Sequence, residues 1–205
     1  ISLPATQEKV QKWLDTQGCF PALGHDSEYA YYIERCYPRS EDRTAYFNNR
    51  LSNVIPQMGY KLLAMLQNRK ILQWIWTTNF DGLVRQSRSP DHTTPLKEIG
   101  LDSAARICEV RDGDNHGYLI ALHGDYRYDR IKNTSGEIQT LQTELCTALM
   151  SRLRSQPIIV LGYGGRDESI MSTLEAAYSG TCSGGGIYWC LKGNETISPR
   201  VSGLI

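Results

Sequence analysis

The stretch that most constrains this chain runs from Ile71 to Leu83. It opens as an apolar run, Ile71-Leu72-Gln73-Trp74-Ile75-Trp76, rich in strong strand formers. It then breaks abruptly into Thr77-Thr78-Asn79-Phe80-Asp81-Gly82, after which Leu83 and Val84 can begin a short helix. A buried strand that ends in small polar side chains ahead of a helix belongs to open α/β sheets. Those sheets bind ligands beyond the carboxyl ends of their parallel strands. Two readings of Asn79 and Asp81 stand side by side. They can hydrogen-bond a sugar or an amide, or they can simply cap the helix that follows.

Two further breaks of the same kind occur downstream. A strand predicted over residues 118–122 runs straight into His123-Gly124-Asp125. A short, wholly apolar strand, Ile158-Ile159-Val160-Leu161, runs into Gly162-Tyr163-Gly164-Gly165 before a helix opened by Asp167 and Glu168. The apolar strand has the composition of a parallel strand covered on both faces. If these strands are parallel neighbours, all three ends converge on one sheet edge. A histidine at a strand end is either a hydrogen-bonded structural residue or a proton acceptor. The glycine turn is either a plain turn or a place where backbone N–H groups approach a ribose or phosphate. Asp167 and Glu168 put negative charge at that helix start, which favours ribose or adenine contact there over phosphate.

Around these landmarks the periodicity predicts helices over residues 6–17 and 27–36. A third opens at Ser40 and carries Phe47, Leu51, Val54 and Ile55. A fourth starts at Pro56 and contains Tyr60, Leu63, Ala64 and Met65. Residues 87–94 read as loop. A strand is expected over 105–110, divided from the 118–122 strand by a charged Asp- and Gly-rich turn. Thr134-Ser135-Gly136-Glu137 forms a capping box ahead of an amphipathic helix that reaches Leu153 and is stopped by Pro157. Residues 180–186 form a small-residue loop, and residues 187–191 a last strand. The expectation is a single domain over 1–205. Residues 1–70 form a helical cap or face layer, and residues 71–205 a core.

Composition narrows the function. Lys+Arg 22 against Asp+Glu 22 gives no net charge, so no nucleic-acid footprint is expected. No apolar run approaches the ~20 residues of a membrane span, and no signal segment opens the chain. The six cysteines are scattered without a C-x-x-C, as expected of reduced thiols in a cytoplasmic protein with no structural zinc. Asn133-Thr134-Ser135 and Asn194-Glu195-Thr196 are read as chance matches to a glycosylation sequon.

Taken together, the three strand ends resemble the SIR2-like (sirtuin-related) domains of bacterial anti-phage defence proteins. Thr77-Thr78-Asn79-Phe80-Asp81 matches that family's T-x-N-x-D, His123-Gly124 its H-G, and the segment from Leu161 to Ser169 its glycine turn and helix start. The resemblance implies a three-layer, Rossmann-like α/β fold with a mainly parallel sheet and an N-terminal helical region. It implies NAD as substrate, cleaved between nicotinamide and ribose. By motif, Asn79 would hold the water or ribose at the breaking bond, and His123 would be the general base. Asp81 would orient the nicotinamide amide, with Thr77, Thr78, Gly162, Tyr163 and Gly164 also contacting the dinucleotide.

The chain departs from the family pattern twice. The four-cysteine zinc module of deacylating sirtuins is replaced by the helical segment holding only Cys146, which favours NAD hydrolysis over peptide deacylation. The family's first strand, with its G-A-G-x-S phosphate loop, has no counterpart ahead of the early helices. The chain is therefore expected to be a fragment of a longer protein whose other regions sense infection and self-associate. The alternatives to hydrolysis are NAD-dependent deacylation and a catalytically silent NAD- or ADP-ribose-binding module.

Overall fold

The computed structural model describes residues 3–23, 25, 27–110, 113–125, 130–131, 143–179, 185–193 and 196–205. Four helices come first: α1 (Leu3–Gln17), α2 (Glu28–Cys36), α3 (Ser40–Leu51) and α4 (Met58–Asn68). They carry little core of their own. Trp13 of α1 is exposed, and Phe47 of α3 anchors a small cluster with Ile33, Tyr46, Leu51 and Phe80. Arg43 is buried with them. Its Nη1 donates to the carbonyls of Tyr37 and Pro38 at 3.2 and 2.9 Å, so the end of α2 is tied to α3 by a cation placed on free carbonyl oxygens. The fourth helix starts later than expected. Gln57 is its N-cap and Pro56 lies outside it.

The core is built on strands. β1 (Trp74–Thr77) pairs in parallel with β3 (Gly117–Ala121), and β3 pairs in parallel with β2 (Leu96–Ile99), giving the order β1-β3-β2. β4 (Gly124–Asp125) and β5 (Arg130–Ile131) form a small antiparallel pair. β6 (Ile158–Leu161) and β7 (Ile187–Cys190) make a second parallel pair. The short α5 (Leu83–Gln86) follows β1, α6 (Thr143–Ser155) precedes β6, α7 (Glu168–Tyr178) follows it, and α8 (Pro199–Ser202) lies near the carboxyl end.

One apolar core joins both parallel sheets. Tyr118 and Ile120 of β3, Leu145, Leu149 and Leu153 of α6, and Met171 and Leu174 of α7 are buried together. Trp74, Trp76, Ile158 and Trp189 pack against them. The spacing of the α6 leucines puts them on one helical face, as the sequence pattern requires. Trp74 is stacked on Tyr118 with ring centroids 4.4 Å apart, and the Arg152 guanidinium lies 4.3 Å from the Trp74 ring centre, which fastens α6 to β1. The architecture is α/β with parallel strands, of the Rossmann-like kind.

Two expectations fail in the core for readable reasons. The strand expected over residues 105–110 is part of a 3-10 helix, Leu101–Glu109, interrupted at Ser103. Its buried residues, Leu101, Ala104 and Ile107, recur every third position, which is the 3-10 repeat. The sheet position is taken instead by β2, whose Leu-Lys-Glu-Ile sequence alternates but is short and charged. Nor is β6 covered on both faces. Ile158 packs on the core and Val160 is buried, whereas Ile159 and Leu161, on the opposite face, are 58% and 57% exposed. The capping box at residues 134–137 and most of the loop at 180–186 lie outside the described residues.

Candidate active site

β1 and β3 run in register, with Thr77 beside Ala121, and the amide of Leu122 donates to the Thr77 carbonyl at 2.9 Å. Both strands therefore stop at the same level. Asn79 and His123, each two residues beyond a paired position, stand on the same carboxyl-terminal edge of the sheet. The side chains alternate across that sheet. Trp76, Tyr118 and Ile120 enter the core, while Thr77, Leu119 and Ala121 face the other way and line a cleft.

That cleft has a volume of about 180 Å³. Its polar wall is Thr77, Asn79, Asp81, Glu98, Asp102 and Arg106. Glu98 is tied to Arg85 of α5 at 2.9 Å. Asp81 does two jobs through its two oxygens. Oδ1 accepts from the Leu83 amide at 2.9 Å, which caps α5, and Oδ2 accepts from the Tyr60 hydroxyl at 3.1 Å. Asn79 is exposed to the cleft. Its backbone amide donates to Thr77 Oγ1 at 3.0 Å, and its Nδ2 donates to the Tyr60 hydroxyl at 3.4 Å. Burial and then the Asp81 carboxylate raise the Tyr60 phenol above its ordinary pKa. Phe80, between Asn79 and Asp81, points away from the cleft constellation into the small cluster of α3, with its ring 4.6 Å from that of Phe47.

A second group of residues does not line the cleft. His123 stands on the same edge, but the glycine turn follows β6, which pairs with β7 in a separate sheet. The third strand end is therefore not a sheet neighbour of the other two and reaches this edge through Asp167. His123 is buried, and its Nε2 lies 3.8 Å from Asp167 Oδ1. Asp167 is the N-cap of α7, so the imidazole is turned toward the glycine turn after β6. In that turn Gly162 and Gly164 are exposed, while Tyr163 packs its ring 5.8 Å from Trp189. Burial, followed by the charge of Asp167, holds the Tyr163 phenol far above its usual pKa. Gly165 closes the turn with φ of +71°, and a Cβ there would stand 2.7 Å from Val201 Cγ2, so neither the backbone nor the space admits a side chain.

Of the residues singled out from the sequence, Thr77, Asn79 and Asp81 are brought together in the cleft. His123 and Tyr163 meet at Asp167 outside the cleft, Gly162 and Gly164 are exposed in the turn that carries Tyr163, and Thr78 is half-buried between strand and turn. The residue that the sequence pattern hides is Tyr60. On a helical wheel it belongs to the apolar side of α4, and nothing local marks its partner 21 positions downstream. Arg106 is also brought to the cleft, by the 3-10 helix Leu101–Glu109 in place of the expected strand. Among the described residues, no group of three or more His, Cys, Asp or Glu side chains could hold a metal ion. No described helix is long and apolar enough to cross a membrane.

Parallel strands that end in a polar cleft, with a histidine on that edge, are the arrangement in which α/β domains bind ligands beyond the strand ends. Over residues 73–202 the chain matches the family model of the SIR2-like domain, and it belongs to that family. No curated protein matches the chain. The family is one of NAD-dependent enzymes, so membership gives this domain an NAD-related role. The matched residues hold β1, its polar end, His123 and the glycine turn, while the first four helices precede them.

Proposed function

We propose that this domain is an NAD hydrolase that cleaves the bond between nicotinamide and ribose, and that the intact protein uses it to deplete NAD in anti-phage defence. The observation that carries the reading is the placement of Asn79 on a cleft wall at the edge where His123 stands against Asp167. A drug-sized ligand fills a pocket of about 300–1,000 Å³, so a cleft of 180 Å³ takes only one end of a dinucleotide. With Glu98 paired to Arg85, the polar wall still sets the carboxylates of Asp81 and Asp102 against the Arg106 guanidinium, a small negative excess that suits a cationic pyridinium ring better than a phosphate. The nicotinamide end therefore enters the cleft, and the rest of the molecule crosses the edge toward Gly162 and Gly164.

The reaction breaks the bond from the ribose anomeric carbon to the pyridinium nitrogen. The electron pair leaves with nicotinamide, which becomes neutral, and water adds to the oxocarbenium-like sugar. The water proton passes to His123, and the Asp167 carboxylate stabilises the resulting imidazolium. Asn79 orients the water or the ribose without adding a charge. The products are nicotinamide, ADP-ribose and a proton. The test is to incubate the intact, activated protein with NAD and follow nicotinamide by chromatography. Release that is lost in Asn79→Ala and in His123→Ala supports the reading. Full release by either variant overturns the assigned roles, and nicotinamide release that requires an acyl-lysine peptide overturns hydrolysis.

A further inference from the structure

The geometry points to Tyr60 as a positioning residue: its hydroxyl, held by Asp81, determines which end of the Asn79 amide faces the substrate. The inference rests on the role proposed for Asn79, and it concerns the orientation that the role requires. Tyr60 sits in the first turns of α4, outside the strand core, and its hydroxyl reaches both members of the Asn-Phe-Asp segment. The helix is fastened there by a second link. Ser87 Oγ, at the end of α5, lies 3.0 Å from the Tyr60 carbonyl and 2.6 Å from that of Val84.

The direction of each hydrogen bond follows from the donor inventory. A phenol has one proton and two lone pairs, and a carboxylate has acceptors alone. The Tyr60 proton must therefore lie toward Asp81 Oδ2, 3.1 Å away. Asp81 is not free to turn aside, because its other oxygen holds the Leu83 amide at 2.9 Å. What the phenol then offers Asn79 is a lone pair, and a lone pair accepts only the NH₂ end of the amide. Nδ2 stands 3.4 Å from that oxygen. With the NH₂ end so engaged, Oδ1 is the end left to meet a ligand in the cleft that Asn79 lines. The two ends of an asparagine amide are nearly identical in shape, and it is this chain of donors that tells them apart.

The consequence is chemical. A carbonyl oxygen directed into the cleft accepts a hydrogen bond from the attacking water or from a ribose hydroxyl, and its partial negative charge faces the developing oxocarbenium. An NH₂ group in the same place would repel that charge and could not take the water's proton side. Tyr60 does not line the cleft, so its removal disturbs orientation rather than contact.

The test uses the intact protein and Tyr60→Phe, which keeps the ring and deletes the hydroxyl. Nicotinamide release should show kcat reduced about 10- to 100-fold with KM within about twofold, the pattern of a misoriented group and not of lost binding. The second readout is independent of activity. The side-chain NH₂ signals of Asn79, assigned by their absence in Asn79→Ala, should shift and exchange faster with solvent in Tyr60→Phe. Asp81→Asn, which can itself donate to the phenol and so scramble the chain, should move the same signals. Unchanged kcat in Tyr60→Phe, or Asn79 signals that stay in place in both variants, overturns the proposal. If the wild-type protein releases no nicotinamide, the hydrolase reading falls, and the Asn79 signals alone decide whether Tyr60 orients the amide.

Discussion

Gly117→Ala is expected to damage this protein through one buried side chain, and the size of the effect can be worked out. Gly117 opens β3, opposite Leu96 of β2, and its amide donates to the Pro95 carbonyl at 2.8 Å. A Cβ at this position would lie 2.6 Å from both Cγ and Cδ of Gln67 and 2.9 Å from its Nε2. Gln67 cannot swing away into solvent, because it is 1% exposed. Its Nε2 donates to the carbonyls of Tyr118 and Gln73 at 3.0 and 3.3 Å, which ties α4 to the starts of β1 and β3. Displacing it forfeits two hydrogen bonds of about 1 kcal/mol each and adds overpacking strain of about 1–3 kcal/mol. The expected loss is about 3–5 kcal/mol, which for a chain of this size lowers Tm by on the order of 10 °C. Urea melts read the loss directly. The control is the same substitution in a Gln67→Ala background, where the obstacle is gone and the change should be neutral within about 1 kcal/mol. Equal losses in both backgrounds would refute the reasoning. So would a Gly117→Ala variant of wild-type stability.

Arg200 holds Glu175 through Nε and Nη2, and Glu168 through Nη1 at 2.6 Å. It thereby depresses both carboxyl groups, Glu168 to about 2. A folded-state pKa below the unfolded one stabilises above the unfolded value and is lost as pH falls through the folded one. Stability should therefore drop between about pH 4.5 and pH 2, and more shallowly in Arg200→Gln, as followed by urea midpoints across that range. Phe47→Ala removes the buried ring on which Phe80 rests and should cost about 3 kcal/mol, with weakened ADP-ribose binding by calorimetry; unaltered affinity would detach α3 from the site. Asp167→Asn, which removes the carboxylate beside His123, should slow nicotinamide release roughly tenfold with little change in Tm. An unchanged rate would leave Asp167 with its interaction with Tyr163 and no part in the reaction.

Much of the core was legible because its signals are local. The change from Trp-Ile-Trp to Thr-Thr-Asn marks the end of β1, and the leucines of α6 mark its buried face. The 3-10 helix was hidden because Leu101, Ala104 and Ile107 repeat every third residue, a period lying between those of strand and α-helix. β2 was hidden by its brevity and its two charged residues. In the site, residue order showed which side chains reach the edge but not where they turn. Asp167 was legible as a charge unfavourable to phosphate. That the same carboxylate stands 3.8 Å from His123 depends on how β3 and β6 meet the common core. The capping reading of Asp81 holds for one of its oxygens, and the other belongs to Tyr60. Such a contact joins segments with no periodic relation, and only the packing of α4 beside α5 creates it.

The account rests on Asn79 and His123 acting on one dinucleotide, and a structure of the His123→Ala variant soaked with NAD tests that most directly. The account predicts uncleaved NAD with its nicotinamide in the cleft of Thr77, Asn79 and Asp81. Its ribose would lie within about 3 Å of the Asn79 amide and face the position vacated by the imidazole. NAD bound with its nicotinamide ribose away from Asn79, or on the far side of the sheet from residue 123, would contradict it.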